Sequence, residues 1–352
     1  MFFGSDNTAG VSPKIMRALE AANSGYAPAY GNDDLTAKVE EMLAELFECE
    51  VAVSLVATGT AANALALSCL TTGFGALVCH AEAHIAVDEC NAPEMFSGGA
   101  KLVTVPGYAA KLTPDSITQA LERVGPRVPH QPRPQAISIT QATEAGCVYS
   151  LDETRAIADL AKSRGLKLHM DGARFANAVC SLDCTPAEAT WKAGVDILSF
   201  GATKPGAMAA EAVIAFNPDL REELGYRRKR SGHLVSKHRF VAAQWFGFLD
   251  GEHWRELASH ANAMAKRLAD GFAASGNIRM PMPVEANEVL PIMPAATEKK
   301  LKDAGVAFYP WSDYALGIEP PMGEGEVICR FVTSFATTPD DVDRTIAIVS
   351  GD

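Results

Sequence analysis

Nowhere in the 352 residues does an uninterrupted apolar stretch approach the ~18 residues that cross a bilayer, so no membrane-spanning helix is expected. Only three apolar residues precede Gly4 in MFFGSDNTAG, too few for the apolar region of a secretory signal. None of the eight cysteines (49, 69, 79, 90, 147, 180, 184 and 329) stands in a CxxC pair, and most have apolar or small neighbours, as reduced core thiols do. A cytoplasmic, reducing compartment follows as the expectation. Positive charge is also short. The 31 Lys and Arg against 43 Asp and Glu leave a net charge of −12, which argues against nucleic acid or an anionic membrane as partner. The one basic run, Arg227-Arg228-Lys229-Arg230, reads as a solvated helix face or an anion site. Internal repeats and low-complexity segments are absent. What is present is 48% apolar residues and 20 dispersed prolines, the makeup of a globular protein with an ample core. The length predicts one large or two unequal domains.

Strand-like runs alternate with helical ones. Leu35, Val39, Leu43, Leu46 and Phe47 recur at helical spacing, and VAVSLVAT (51–58) then reads as a strand leading into a helix over AANALALSCL. GALVCH (75–80), KLVTVP (101–106), QAISIT (135–140), LKLHMD (166–171) and VDILSF (195–200) read as short buried strands. Thr113-Pro114-Asp115 signals one helix start, Ser150 with Glu153 forms a capping box for another, and TPAEATWKAG (185–194) is expected to be helical. Such alternation predicts an α/β fold with a mostly parallel sheet. After about residue 240 the pattern changes to one long helical stretch, then short strands and two more helices. The expected division is a large domain over 1–240 and a smaller C-terminal α+β domain over 241–352, the N-terminal segment joining the latter.

In an open parallel sheet, ligands gather at the carboxyl ends of strands, and four features fall there. Gly59-Thr60 turns a strand into a helix, presenting free N–H groups and a positive helix end to an anion such as phosphate, or simply making an ordinary turn. Asp171, in HMDGAR, ends a buried strand and needs a cationic partner, either Arg174 or a protonated pyridine nitrogen. Lys204 stands alone among Gly201, Ala202, Gly206 and Ala207; desolvation there would favour the neutral amine that forms a Schiff base, whereas a snorkelling lysine would be inert. HAEAH (80–84) has the outline of a zinc site using His80 and His84, but its glutamate is in third place rather than second. An imidazole there can instead lie on an aromatic ring or act as a base.

A phosphate cradle, an aspartate for a ring nitrogen and a Schiff-base lysine, in that order, fit pyridoxal 5′-phosphate. The chain resembles the L-threonine aldolase family of pyridoxal-phosphate enzymes, most of all the low-specificity L-threonine and phenylserine aldolases. GSDN (4–7), AYGND (29–33), TGTAANALAL, AEAHIAVDE, QATEAG, HMDGAR, FGATK, ICRFV and TTPDDVD carry the resemblance almost end to end. It implies the aspartate-aminotransferase-like fold type I with a seven-stranded, mostly parallel mixed sheet. It implies a homotetramer of catalytic dimers with active sites between subunits.

By the same resemblance, Gly59 and Thr60 hold phosphate, Asp171 meets the pyridine nitrogen, His84 stacks on the ring and Lys204 bonds the cofactor. Ser5, Arg174 and Arg330 are implied to bind the substrate carboxylate, Arg174 also lying near the phenolic oxygen. Lys229 is implied to reach the neighbouring subunit's phosphate, although the family's arginine there is displaced, with Ser236 and Lys237 nearby. Many members carry a histidine where this chain has Gln141-Ala142-Thr143-Glu144. The base acting on the substrate hydroxyl is therefore expected to be His84, supported by Asp88 one helical turn on, with Glu144 as the alternative. The implied reaction splits L-threonine, L-allo-threonine or phenylserine into glycine and an aldehyde. An aminotransferase or racemase on the same fold, a zinc hydrolase and a non-catalytic cofactor-binding protein are the competing readings.

Overall fold

The strand-like runs close into one seven-stranded sheet, in which KLVTV (101–105) is a largely exposed edge strand rather than the buried one expected. The computed structural model describes residues 1–350. Its strands are β1 (Ala52–Val56), β2 (Gly75–His80), β3 (Lys101–Val105), β4 (Arg133–Thr140), β5 (Lys167–Gly172), β6 (Ile197–Gly201) and β7 (Glu211–Ala215), in the order β1-β7-β6-β5-β4-β2-β3. From β6 to β3 every neighbour is parallel, while β7 runs against both β1 and β6. β1, β2, β6 and β7 are buried at every residue, as strands covered by helices on both faces must be. The mostly parallel mixed sheet expected from the sequence is thus present, and both expected helix caps form, at Thr113 and Ser150.

Two helical expectations need correction as well. TPAEATWKAG is no α-helix; it holds only a 3-10 turn at Trp191–Ala193. The Thr185 hydroxyl takes the Glu188 N–H, that of Thr190 donates to the Pro186 carbonyl, and Gly194 turns away at φ 96°. The Thr185 and Glu188 bonds are a helix-type cap, but Thr190 leaves helical geometry at φ −126° and ψ −105°, so the turn is not continued. The helix between β5 and β6 is instead Phe175–Leu182. The long helical stretch after residue 238 is two helices, Arg239–Leu249 and His253–Ala274, broken where Gly251 and Glu252 adopt left-handed φ angles of 60° and 55°.

Two buried features fix the strands that serve the site. Phe200, near the end of β6, packs edge-on to Phe175 and Trp245 at centroid distances of 5.2 and 5.0 Å. On β5, the His169 ring spans from the Ser138 hydroxyl at 2.8 Å to that of Ser199 at 3.0 Å, tying β4, β5 and β6 together. Burial lowers the pKa of His169 to about 4, so it serves this strap as a neutral imidazole.

A second sheet is built from β8 (Glu288–Val289), β9 (Ile292–Pro294), β10 (Tyr309–Pro310) and β11 (Glu326–Val332), with β11 pairing the other three. The N-terminal segment joins its edge: the Phe3 N–H donates to Ala307 at 2.7 Å, and the Val332 N–H donates to Phe3 at 2.8 Å. The Phe3 and Phe331 rings share this core with Leu268 and Phe272. Residues 5–7 are thereby led from the second sheet toward the carboxyl ends of the first. No helix among the described residues is long and apolar enough to cross a membrane.

Candidate active site

The strand ends of the large sheet and the N-terminal segment enclose a cavity of about 750 Å³. β1 leads through Thr58 into the helix Gly59–Leu70, where the Thr58 hydroxyl accepts the Ala61 N–H. The N–H groups of Gly59 and Thr60, in the first helical turn, have no intrahelical acceptor, and a side chain built at Gly59 would meet nothing within 4 Å. That is open space at a positive helix end, suited to a phosphate.

β5 delivers Asp171, which is 4% exposed. Its Oδ2 accepts from Asn63 Nδ2 at 2.8 Å and its Oδ1 from the Ala173 N–H at 3.0 Å. β6 ends in a tight turn, with Gly206 N–H bonded to Thr203 and Ala207 N–H to Ala202, and this turn carries Lys204. The apolar setting expected for Lys204 is corrected in space, because Asp6 and Glu211 lie near enough for its charge to act on both. No ion pair within 4.0 Å engages its ammonium among the described residues. Glu211 enters from the opposite direction, since β7 is antiparallel and begins where β6 ends. Burial, opposed by Thr203 and Lys204, pushes its pKa up to about 7.

His84 opens a helix of four residues after β2. Its N–H donates to Glu144 Oε1 at 3.0 Å, and its Nδ1 lies 2.8 Å from Glu89 Oε1. The hydrogen bond to Glu89 raises the His84 pKa, with burial opposing. Here the expected Asp88 support is corrected. The helix stops after one turn, Cys90 and Asn91 take left-handed φ angles of 47° and 62°, and the fully buried Glu89 turns inward while Asp88 stays exposed on the cavity rim. Glu144 Oε1 also accepts from the Thr140 hydroxyl at 2.8 Å, and its Oε2 is buried without a partner. Burial pushes the Glu144 pKa up to about 7. His80 contributes nothing here: its Nε2 faces the Gly107 carbonyl at 3.1 Å and its Nδ1 accepts the Glu82 N–H at 3.0 Å. Both nitrogens are engaged, and no group of three metal-ligating side chains converges among the described residues.

The end expected to bind a substrate carboxylate differs from expectation in its wiring. Arg174 does not pair with Asp171. Its Nε and Nη2 grip Asp6 at 2.8 and 3.1 Å, and its Nη1 lies 3.2 Å from Glu288. Arg330, from β11, lies over the Trp311 ring at 4.3 Å and 3.9 Å from Glu288. Its Nε is buried without a partner, and the residue lines the cavity. Ser5 lines the same wall, its hydroxyl accepting the Asn7 N–H at 3.1 Å. Lys229 is not part of this chain's cavity; its ammonium sits over Tyr30 at 5.3 Å. Asp6, Asn63, Glu89, Glu211 and Glu288 were not singled out by sequence reasoning. Asp6, Asn63 and Glu89 did carry a signal, since they lie inside the GSDN, TGTAANALAL and AEAHIAVDE motifs.

The residues present fit pyridoxal 5′-phosphate. An open helix N-terminus suits the phosphate, a fixed buried carboxylate suits the ring nitrogen, and an amine without an ion pair suits the aldehyde carbon. Comparison with known proteins agrees. The sequence pattern described as Beta-eliminating lyase matches residues 3–296. A low specificity L-threonine aldolase of Pseudomonas aeruginosa is 42% identical over 353 residues, covering 99% of this chain and 98% of its own. Another, from a Pseudomonas species, is 46% identical over 308 residues, covering 87% and 88%. The solved structure of Leishmania major threonine aldolase superimposes with a TM-score of 0.91 at 30% identity, covering 99% of this chain and 98% of that one. Sphingomonas wittichii serine palmitoyltransferase, at 15% identity and a TM-score of 0.73, shares the fold.

Proposed function

This chain belongs to the β-eliminating lyase family, and from that premise we propose that it is a pyridoxal 5′-phosphate-dependent aldolase. Its substrates are L-threonine, L-allo-threonine and related L-β-hydroxy-α-amino acids, phenylserine among them, which it splits into glycine and an aldehyde. The observation that carries the reading is convergence: Gly59 with Thr60, Asp171, Lys204 and Arg330 arrive from four chain segments at one cavity.

Bound there, pyridoxal phosphate supplies an electron sink for the bond broken at Cα. Gly59 and Thr60 hold its phosphate, Asp171 its ring nitrogen and Lys204 its aldehyde carbon. Arg330 and Ser5 bind the substrate carboxylate, with Arg174 anchored behind them by Asp6. Clamping the carboxylate fixes which bond at Cα is aligned for cleavage. His84 Nε2, the nitrogen not engaged by Glu89, takes the proton of the β-hydroxyl, and the Cα–Cβ bond opens.

A homo-oligomer, with catalytic dimers paired into a tetramer, is part of the proposal. Val87 and Met208 on the cavity wall are 52% and 54% exposed, which supports a second copy covering the mouth. A cytoplasmic location is supported by eight free cysteines, of which Cys79, Cys147 and Cys329 have thiols pushed up to about 12 by burial. The deciding experiment incubates the purified holoprotein with a panel of β-hydroxy amino acids and no keto acid. Equimolar glycine and aldehyde are expected. Turnover that depends on an added keto acid would instead make it an aminotransferase.

A further inference from the structure

Asn63 stands in the helix Gly59–Leu70, which is buried on nearly all sides, and is itself 2% exposed. A buried amide needs partners. Its single Nδ2 donates to Glu89 Oε1 and to Asp171 Oδ2, each at 2.8 Å. The same Glu89 oxygen lies 2.8 Å from His84 Nδ1. Four side chains from three separate segments thus form one hydrogen-bonded chain, Asp171–Asn63–Glu89–His84. An amide nitrogen is the only uncharged side-chain group that can donate to two carboxylates at once here; an aspartate at this position would add a third negative charge.

We propose that Asn63 and Glu89 are positioning residues: Glu89 receives the Nδ1–H of His84 and so presents Nε2 to the substrate hydroxyl, while Asn63 locks Glu89 to Asp171. The base and the carboxylate serving the ring nitrogen are then set by one rigid element. The logic is that of any carboxylate that fixes the tautomer and plane of a catalytic imidazole. The inference rests on the aldolase reading for what His84 acts upon, and on the chain's own geometry for the rest. The charges facing His84 differ in sign. Glu89 and Asp171 favour its protonated form, Lys204 opposes it, and Glu144 engages the backbone N–H rather than the ring.

The test uses the holoenzyme carrying Glu89→Gln, alone and together with His84→Phe, with the His84 ring titrated by NMR of labelled histidine. Glu89→Gln should lower the His84 titration toward the ordinary 6.5 and cut kcat by about 10- to 100-fold, the range for outer-shell partners of ligating histidines. In the His84→Phe background the same substitution should change kcat little, because Glu89 acts through the imidazole. An unmoved titration, or an equal loss in both backgrounds, overturns the proposal. Should Glu89→Gln not fold, Asn63→Ala replaces it. Freed of a competing donor, Glu89 should then bind His84 more strongly and raise its titration, and an unchanged value is equally fatal. If wild-type protein releases no glycine and aldehyde, the aldolase reading falls, yet the titration still decides the positioning roles.

Discussion

Arg174 grips Asp6 with two nitrogens, Nε at 2.8 Å and Nη2 at 3.1 Å, across 168 positions of chain. Both groups are buried. Burial disfavours the Asp6 carboxylate, but Arg174 and Lys204 outweigh it and hold its pKa below the ordinary 3.8. Removing Asp6 leaves Arg174 only Glu288 as a counter-charge, so Asp6→Ala should lose roughly 1.5–3 kcal/mol of stability in denaturant unfolding. Because the folded pKa is lowered, this stabilisation is complete above the unfolded value and fades as pH falls through the folded one. The deficit of the variant should therefore shrink below about pH 4. An equal deficit at pH 3 and pH 7 would contradict the assignment.

Arg330 keeps an unpartnered Nε beside the cavity while its guanidinium rests on Trp311. Arg330→Ala should retain the cofactor but lose roughly 2–5 kcal/mol of transition-state binding, the scale for truncating one partner of a buried charged contact. The kcat/KM for threonine measures this, and an unchanged value would remove Arg330 from the substrate clamp.

His84 and Glu144 compete for the role of base. Stacking survives replacement by another flat ring; proton transfer does not. His84→Phe should keep the cofactor and lose about 100-fold or more in kcat, within the range for a general base. Glu144→Gln should lose less. Near wild-type turnover by His84→Phe beside an inactive Glu144→Gln would transfer the role to Glu144.

Glu144 also sets a pH dependence of its own. Its pKa rises from 4.5 to about 7 on folding. The folded protein then holds a proton that the unfolded chain has released, so stability declines as pH climbs through that interval. Glu144→Gln should flatten part of the decline and stand roughly 1–3 kcal/mol above wild type at pH 8. Glu211, raised to the same value, should keep the remainder. Parallel stability curves for variant and wild type between pH 5 and 8 would show that the carboxyl is not held neutral.

What could be read from sequence was whatever the parallel strands announce in order. Gly59, Asp171 and Lys204 each follow a buried run at its carboxyl end, and those ends form one edge of the sheet. Glu211 escaped because EAVIA runs the other way, so its first residue rather than its last meets the cavity. Glu89 escaped because a helical spacing from His84 points to Asp88, and the helix ends before that spacing applies. Asp6, Asn63 and Glu288 acquire meaning only through partners far along the chain, which no local pattern encodes. The misread TPAEATWKAG has helical composition and a helix-type cap at Thr185, but the backbone of Thr190 departs from helical geometry and ends it.

Asn287 donates to Asp6 at 3.1 Å across 281 positions, and Val332 donates to Phe3. Those contacts cannot form while the ribosome is still adding the residues between them. At about 5–20 residues per second that interval lasts roughly 15–60 s. Through it a nascent chain can complete the helix end at Gly59 and the turn at Lys204, yet Asp6 still lacks Asn287 and Arg330 has not been made. That end of the cavity accordingly cannot be complete before Asn287 and Arg330 have both been made.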